Sequence, residues 1–382
     1  MVLLAVAWTA TAGAQERNLA LGADQTAASP AADRYLRYVP DIDQGGGFHL
    51  TKHLAVVFGD IKDGSGVALG PAASVTFANG GFAQIKGVYS VRKFELLQAR
   101  YDSPAFWARR TVISSRLRWQ VAPKLALFPL GPDPALQEVN YGERRTEASA
   151  QIVTRVTRTL HVTAGFGVER VATSGGRIDL SEDESATSVP PVPGLAVRPW
   201  FGHTLLSATF DSRPSGYSRT GTVIDATLHD YRAWHDDASS CERLEAGAEH
   251  FVSFGARSTF DLSARTWLSM TTGARAVPFF LMPTLGGGDY LEAYRLYRFR
   301  DRNAVWLKGE YRRAVHDMVD VAGFYEAGQV SRSVQSFTLR GAAQSVGAGV
   351  ILHARTSARL RVDVARGREG FGFAILFSAD GA

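Results

Sequence analysis

The chain has 382 residues, is 45% hydrophobic and 21% charged, and carries a net charge of +5 with a sequence pI near 9.3. Its single cysteine, Cys241, excludes an internal disulfide and any metal site built on several thiolates. The Lys and Arg residues are scattered rather than blocked, which argues against a nucleic-acid partner and equally suits contact with lipopolysaccharide or anionic lipid headgroups. With 38 glycines and 10% aromatics the composition leans towards strands and turns, because aromatic side chains fit a pleated surface and glycine serves turns and bulges.

The N-terminus reads "MVLLAVAWTATAGAQE": an apolar run, then the small residues Ala12-Gly13-Ala14, then polar Gln15 and Glu16. This is the pattern of a signal peptide over residues 1–14, although a basic n-region is missing; the alternative is a buried terminal strand or helix. Residues 15–63 read as a polar extension, with "GADQTAASPAADRY" and "DIDQGGG". Within it "HLTKHLAVVFGDI" fits one strand or a short helix. Beyond the leader no apolar run approaches the roughly 18 residues of a spanning helix. The mature chain is therefore either soluble and exported or a β-barrel occupying residues 64–382.

Alternation runs along nearly the whole chain. "HVTAGFGVER" sets Val162, Ala164, Phe166 and Val168 against His161, Thr163 and Glu169. "TVIDATLHDY" sets Ile224, Ala226 and Leu228 against Asp225, Thr227 and His229. "NAVWLKGEYRR" sets Val305, Leu307, Gly309 and Tyr311 against Trp306, Lys308, Glu310 and Arg312. Near the end, Leu360, Val362 and Val364 oppose Arg359, Arg361 and Asp363, and Phe371, Phe373, Ile375 and Phe377 oppose the small Gly372 and Ala374. Successive side chains of a strand point to opposite faces, so each segment has one apolar and one polar side. A soluble sandwich would alternate too. The segments nevertheless run to about ten residues, the length of a tilted membrane strand. Turn-rich links such as "ATSGGR" and "SRPSGYSR" separate them, no long amphipathic helix intervenes, and a closed barrel satisfies every backbone group in lipid. These features predict an all-β transmembrane antiparallel barrel. On this assignment Val362→Arg should harm assembly and Arg361→Val should be tolerated.

The segment "VPFFLMPTLGGGDYLEAYRLYRFRDRNAVWLKGEYRR" from Val277, "FYEAGQV" from Phe324 and "RLRVDVARGREGFGF" from Arg359 together resemble the BamA/TamA family of outer-membrane assembly barrels, also called the bacterial surface antigen family. "DSRPSGYSRTG", from Asp211 to Gly221, is similar to an earlier strand-turn of the same barrels. The likeness keeps order and spacing over roughly the C-terminal half and continues more weakly from about "SGVALGP". It implies a sixteen-stranded barrel in the outer membrane of a Gram-negative-type cell, with a long external loop folded back into the lumen. It also implies a role in outer-membrane protein insertion or transport. Client barrel proteins or a separate chain with periplasmic domains would be the partners, and there would be no cofactor or metal. A passive pore or membrane scaffold that keeps only the fold is the alternative.

The family pattern places an Arg-Gly-aromatic tip on that loop, its Arg reaching acidic residues of the inner wall. The wall residues here would be Glu310 and Glu326, and parity independently turns both inward: Glu310 shares its face with Trp306 and Lys308, Glu326 with Asp320. The tip departs from the pattern. Aligning Tyr294 with the aromatic puts Glu292 and Ala293 where Arg and Gly belong, so three carboxylates would converge and repel. A neighbour among Arg295, Arg298 and Arg300, with Arg295 or Arg298 foremost, is expected to supply the cation; otherwise these arginines line a water-filled pore. Gly286, Gly287 and Gly288 supply the permissive backbone of a re-entrant turn. The family's periplasmic domains have no counterpart in the roughly fifty residues between Gln15 and Gly66, and "SADGA" trails the terminal aromatic, Phe377.

No catalytic site is expected. His229 and His235 lie near Asp225, Asp230, Asp236 and Asp237, which could form a proton relay or a cation site, but polar residues at strand ends account for the cluster and no nucleophile motif accompanies it. The "GGG" at Gly286 lacks the G-K-[ST] ending of a phosphate loop. Cys241, following "HDDASS", is expected in a solvated loop.

Overall fold

The computed structural model describes residues 46–59, 61–134, 138–175, 192–195, 198–214, 220–234, 237–288, 290–353 and 358–379. The expected leader and most of the polar extension lie outside them. The strands are β1 (Gly46–His49), β2 (Leu54–Gly59), β3 (Ala68–Thr76), β4 (Phe82–Ser90), β5 (Glu95–Asp102), β6 (Thr111–Leu127), β7 (Val139–Arg155), β8 (Leu160–Gly175) and β9 (Trp200–Asp211). They continue with β10 (Gly221–Ala233), β11 (Cys241–Phe254), β12 (Ser258–Met270), the two-residue β13 (Thr284–Leu285) and β14 (Phe299–Arg300), then β15 (Asn303–His316), β16 (Val319–Ser331), β17 (Ala343–His353), β18 (Ala358–Gly367) and β19 (Gly370–Ala379). All but β13 and β14 belong to one 17-stranded sheet. Each strand pairs antiparallel with the next, β12 passing directly to β15. This is a sixteen-strand meander with the four-residue β1 added at its leading end. The sheet thus begins at Gly46, ahead of the boundary at residue 64 that the sequence indicated, because the apolar "LAVVFG" of β2 finds a partner in β3.

The sheet is rolled into a barrel. One guanidinium shows it: Arg298 donates to the Pro134 carbonyl at 2.7 Å, just before β7, and to Glu369 Oε1 at 2.8 Å, just after β18. In a flat sheet those strands would stand about 40 Å apart, at ~4.8 Å per strand. At the seam β1 lies beside β19, bringing the two ends of the meander together.

Alternation assigns the faces as the sequence indicated. Leu117, Phe166, Leu206, Ile224, Leu228, Leu262, Leu307, Val346, Val362 and Phe373 are exposed on the outside. Their inward neighbours His161, Thr163, Glu169, Asp225, Thr227, His229, Lys308, Glu310 and Asp363 are buried. An outer apolar belt over a polar interior is the arrangement a lipid-embedded barrel requires. Among the described residues no helix is long and apolar enough to cross a membrane.

Cys241 corrects one expectation. It opens β11 facing inward, buried against the apolar cluster at the long-loop rim, rather than in a solvated loop.

Candidate functional site

The connection between β12 and β15 is far longer than a hairpin needs, and it folds into the lumen. Its neck is the small ladder in which Thr284 faces Arg300 and Leu285 faces Phe299. Gly131 extends that ladder, its N–H donating to the Arg300 carbonyl at 2.9 Å. Gly286 and Gly287 turn the chain with φ of 109° and 106°, the left-handed region glycine tolerates. A Cβ on Gly286 would stand 2.4 Å from the Arg295 carbonyl oxygen, so the turn is closed to any larger residue. Gly288 follows without a positive φ.

Two apolar contacts seat this loop. Its first arm, Val277 to Met282, packs on Leu125, Tyr141, Phe201 and Tyr231 of the inner wall, with the Phe279 ring 4.9 Å edge-on from Tyr141. Its second part, with Leu285, Tyr290, Leu291 and Tyr294, packs on Trp267, Trp306 and Phe324. Arg300 braces the loop internally, donating to the Phe279 carbonyl at 2.9 Å. Tyr297 donates its hydroxyl to the Asp63 carbonyl at 2.8 Å, and burial holds its phenol well above the ordinary tyrosine range.

The tip makes the polar contacts. Lys308 Nζ, on β15, lies 2.9 Å from Glu292 Oε1, 3.6 Å from Glu310 Oε2 and 3.7 Å from Glu326 Oε1. The Glu292 backbone N–H donates to Glu326 Oε2 at 2.8 Å, and that of Ala293 to Ser345 Oγ at 3.3 Å. Tyr294 donates to the Gln344 carbonyl at 3.2 Å. Glu310 also meets Arg312 at 2.8 Å and Arg361 at 2.7 Å, and Arg361 Nε reaches Asp363 Oδ2 at 2.6 Å. Four carboxylates therefore share three cations in a buried network, an arrangement stable only while its members stay together.

The expected repulsion among Glu292, Glu310 and Glu326 is thus answered, but not by the residues named for it. Arg295 is exposed and reaches Glu138 at 3.4 Å. Arg298 pairs with Glu369 at the β18–β19 turn, and Arg300 donates to the Phe279 carbonyl and lies over the Tyr141 ring of β7 at 5.9 Å. The cation is Lys308: the wall supplies the base and the loop the acid, with the signs of the family pattern exchanged. Its signal was present in the sequence, since Lys308 shares the inward face with Glu310. Arg361 is likewise not the replaceable lumen residue expected, because it bridges Glu310 and Asp363.

Backbone proximity also fixes the tip. A Cβ on Gly372 would meet the Glu292 carbonyl oxygen at 2.1 Å, and one on Gly367 would meet the Tyr294 ring at 2.9 Å. The small inward residues of β18 and β19 are the floor on which the tip rests.

The His–Asp cluster does not assemble as drawn. Asp225 and His229 face the lumen, Asp230 faces outward to Arg232, and His235 and Asp236 lie outside the described residues. His229 instead lies 3.0 Å from His203 across β9 and β10. Among the described residues no group of His, Cys, Asp and Glu could hold a metal ion.

No protein-family model matches the sequence, and no curated protein matches it significantly. Solved structures do. BamA from Haemophilus ducreyi lacking POTRA domains 1-3 matches with a TM-score of 0.64 and 11% identity, covering 88% of this chain and 70% of that one. CdiB from Escherichia coli matches with a TM-score of 0.59 and 9% identity over 85% of this chain, and CdiB from Acinetobacter baumannii with 0.53 and 10% over 87%. This chain spans 61% and 58% of those two CdiB chains. At such identities the likeness is one of fold, and the fold is that of outer-membrane barrels, here with a loop pinned inside the lumen by a buried lysine.

Proposed function

We propose that this chain is an outer-membrane barrel of the insertion or transport type, with its lumen occupied at rest, rather than an open pore. The observation that carries this reading is the loop from Val277 to Arg300, seated on two apolar clusters and tied to the wall through Lys308. A loop seated on two apolar clusters and an ion network is built to stay in place, which suits a barrel that handles other chains at its wall and needs the membrane sealed meanwhile. The resemblance of the loop and of the Glu310 and Glu326 strands to the BamA/TamA family supports the same reading, as does the likeness in fold to BamA and CdiB. Its partners would be client barrels or a separate chain bearing periplasmic domains, with lipid and lipopolysaccharide around it. No catalytic role is assigned.

The test has two arms. Single-channel conductance of the refolded protein should be small and flickering, and should rise sharply when residues 286–300 are deleted. Proteoliposomes should also speed the folding of an urea-unfolded eight-stranded barrel protein relative to empty liposomes. A large, steady conductance unchanged by the deletion, with no acceleration of folding, would make the protein a pore.

A further inference from the structure

The outward face of the barrel carries a basic patch at the rim where β7, β8 and β9 meet the long connections. Short turns such as residues 156–159 and 255–257 close the opposite end, so this rim is the external one. Parity turns Arg144 of β7 and Arg170 of β8 outward, since Glu143 and Glu169 beside them are buried in the lumen. Arg144 is in register with Ala172, two residues beyond Arg170. The Val171 N–H donates to the Pro199 carbonyl at 3.4 Å, which carries the β8–β9 ladder past Trp200 and sets Arg198 on the other side of Ala172. All three arginines are exposed. At ~4.8 Å per strand, the backbones of Arg144 and Arg198 stand about 10 Å apart across one alanine.

The neighbours of these arginines mark their depth. Trp200, opposite Arg170, stacks on Trp234 with ring centroids 6.1 Å apart, and the Arg170 guanidinium lies over the Trp200 ring at 5.6 Å. Both indoles are exposed on the outer face, where the tryptophans of membrane proteins sit at headgroup level. Below them the same face presents Leu117, Phe166 and Leu206, each more than half exposed. The carboxylates of this rim are engaged elsewhere: Glu138 pairs with Arg295, and Asp230 and Glu242 pair with Arg232. Glu95 shares the outward face but stands two strands from Arg144, with Val121 between them. Among the described residues none of the three arginines is held by a carboxylate.

We infer that this rim is a binding site for an outer-leaflet glycolipid with a phosphorylated sugar head and several acyl chains. Guanidinium groups recognise phosphate through paired N–H donors, and basic pockets at membrane level bind lipid head groups in this way. Arg144 and Arg198, with Arg170 between and below them, cover more width than a single phosphodiester headgroup. The paired indoles offer broad apolar faces to sugar rings. Leu117, Phe166 and Leu206 lie where the acyl chains descend. The inference rests on the chain's being an outer-membrane barrel and not on the insertion or transport reading.

The test is native mass spectrometry of the refolded full chain, released from maltoside micelles that contain diphosphoryl lipid A and dioleoyl phosphatidylglycerol in equal amounts. Retention of lipid A in clear excess over phosphatidylglycerol is expected. Arg144→Gln, Arg170→Gln and Arg198→Gln should each lower that retention roughly threefold, as befits an exposed ion contact, and the triple variant should abolish the preference. Arg158→Gln, in the exposed turn at the opposite end of β7, should leave it unchanged. Equal retention of the two lipids by the wild-type chain would overturn the inference, as would equal weakening by Arg158→Gln. Heat-modifiability on gels reports the barrel separately. A folded barrel without selective retention overturns this inference alone, whereas a chain that forms no membrane barrel overturns it together with the outer-membrane reading.

Discussion

Replacing Lys308 by methionine keeps most of the side-chain volume and removes a cation that lies 2.9, 3.6 and 3.7 Å from Glu292, Glu310 and Glu326. Arg312 and Arg361 would still hold Glu310, so the loss falls mainly on Glu292 and Glu326, which are 3% and 0% exposed. Removing one partner of a buried pair costs about 3–5 kcal/mol, most of it the penalty for the charge left behind. That is a large share of the 5–15 kcal/mol typical of a folded domain. Glu292→Gln should therefore relieve part of the damage in the Lys308→Met background. The two changes should be non-additive by about 1–3 kcal/mol, as expected for residues in direct contact. Guanidinium unfolding of the refolded barrel, followed by tryptophan fluorescence, measures all four corners of the cycle, and Lys124→Met on the outer surface should shift stability by no more than about 0.5 kcal/mol. If Lys308→Met matches the Lys124→Met control, or if the cycle is additive, Lys308 is not the residue that holds the loop.

Three further outcomes follow from the geometry. Gly372→Val places a side chain where the Glu292 carbonyl lies 2.1 Å away, so the tip should leave the wall; single-channel conductance should rise towards that of the loop deletion while heat-modifiability persists. Val362→Arg puts a charge on the outer belt at a cost of roughly 2–4 kcal/mol near mid-bilayer, and the heat-modifiable form should be depleted on gels. Arg361→Val strips a partner from both Glu310 and Asp363 and should destabilise by about 3–5 kcal/mol in the same unfolding assay, against the tolerance that its lumen position alone would indicate.

Strand character and strand faces were legible because both are written in a two-residue period along the chain. Glu310 and Glu326 could be turned inward, and Val362 and Phe373 outward, from their neighbours alone, since a strand offers only two sides. The re-entrant loop was legible from its length, its glycines and its resemblance to a known family. What the sequence could not decide was which charges meet. Glu292 and Lys308 are 16 residues apart, but Arg298 joins groups on either side of it that are 164 and 71 residues away. Those meetings depend on the roll of the barrel and the depth of the loop. Proximity along the chain favoured Arg295 and Arg298 as partners for Glu292; the β14 neck instead aims Arg298 at the β18–β19 turn and leaves Arg295 at the surface. Gly372 read as a small inward residue, and only the seated tip shows that its lack of a side chain is required. Parity is a local property, set by backbone geometry residue by residue. Ion pairing across a lumen is set by closure of the whole sheet, and so it belongs to the tertiary structure.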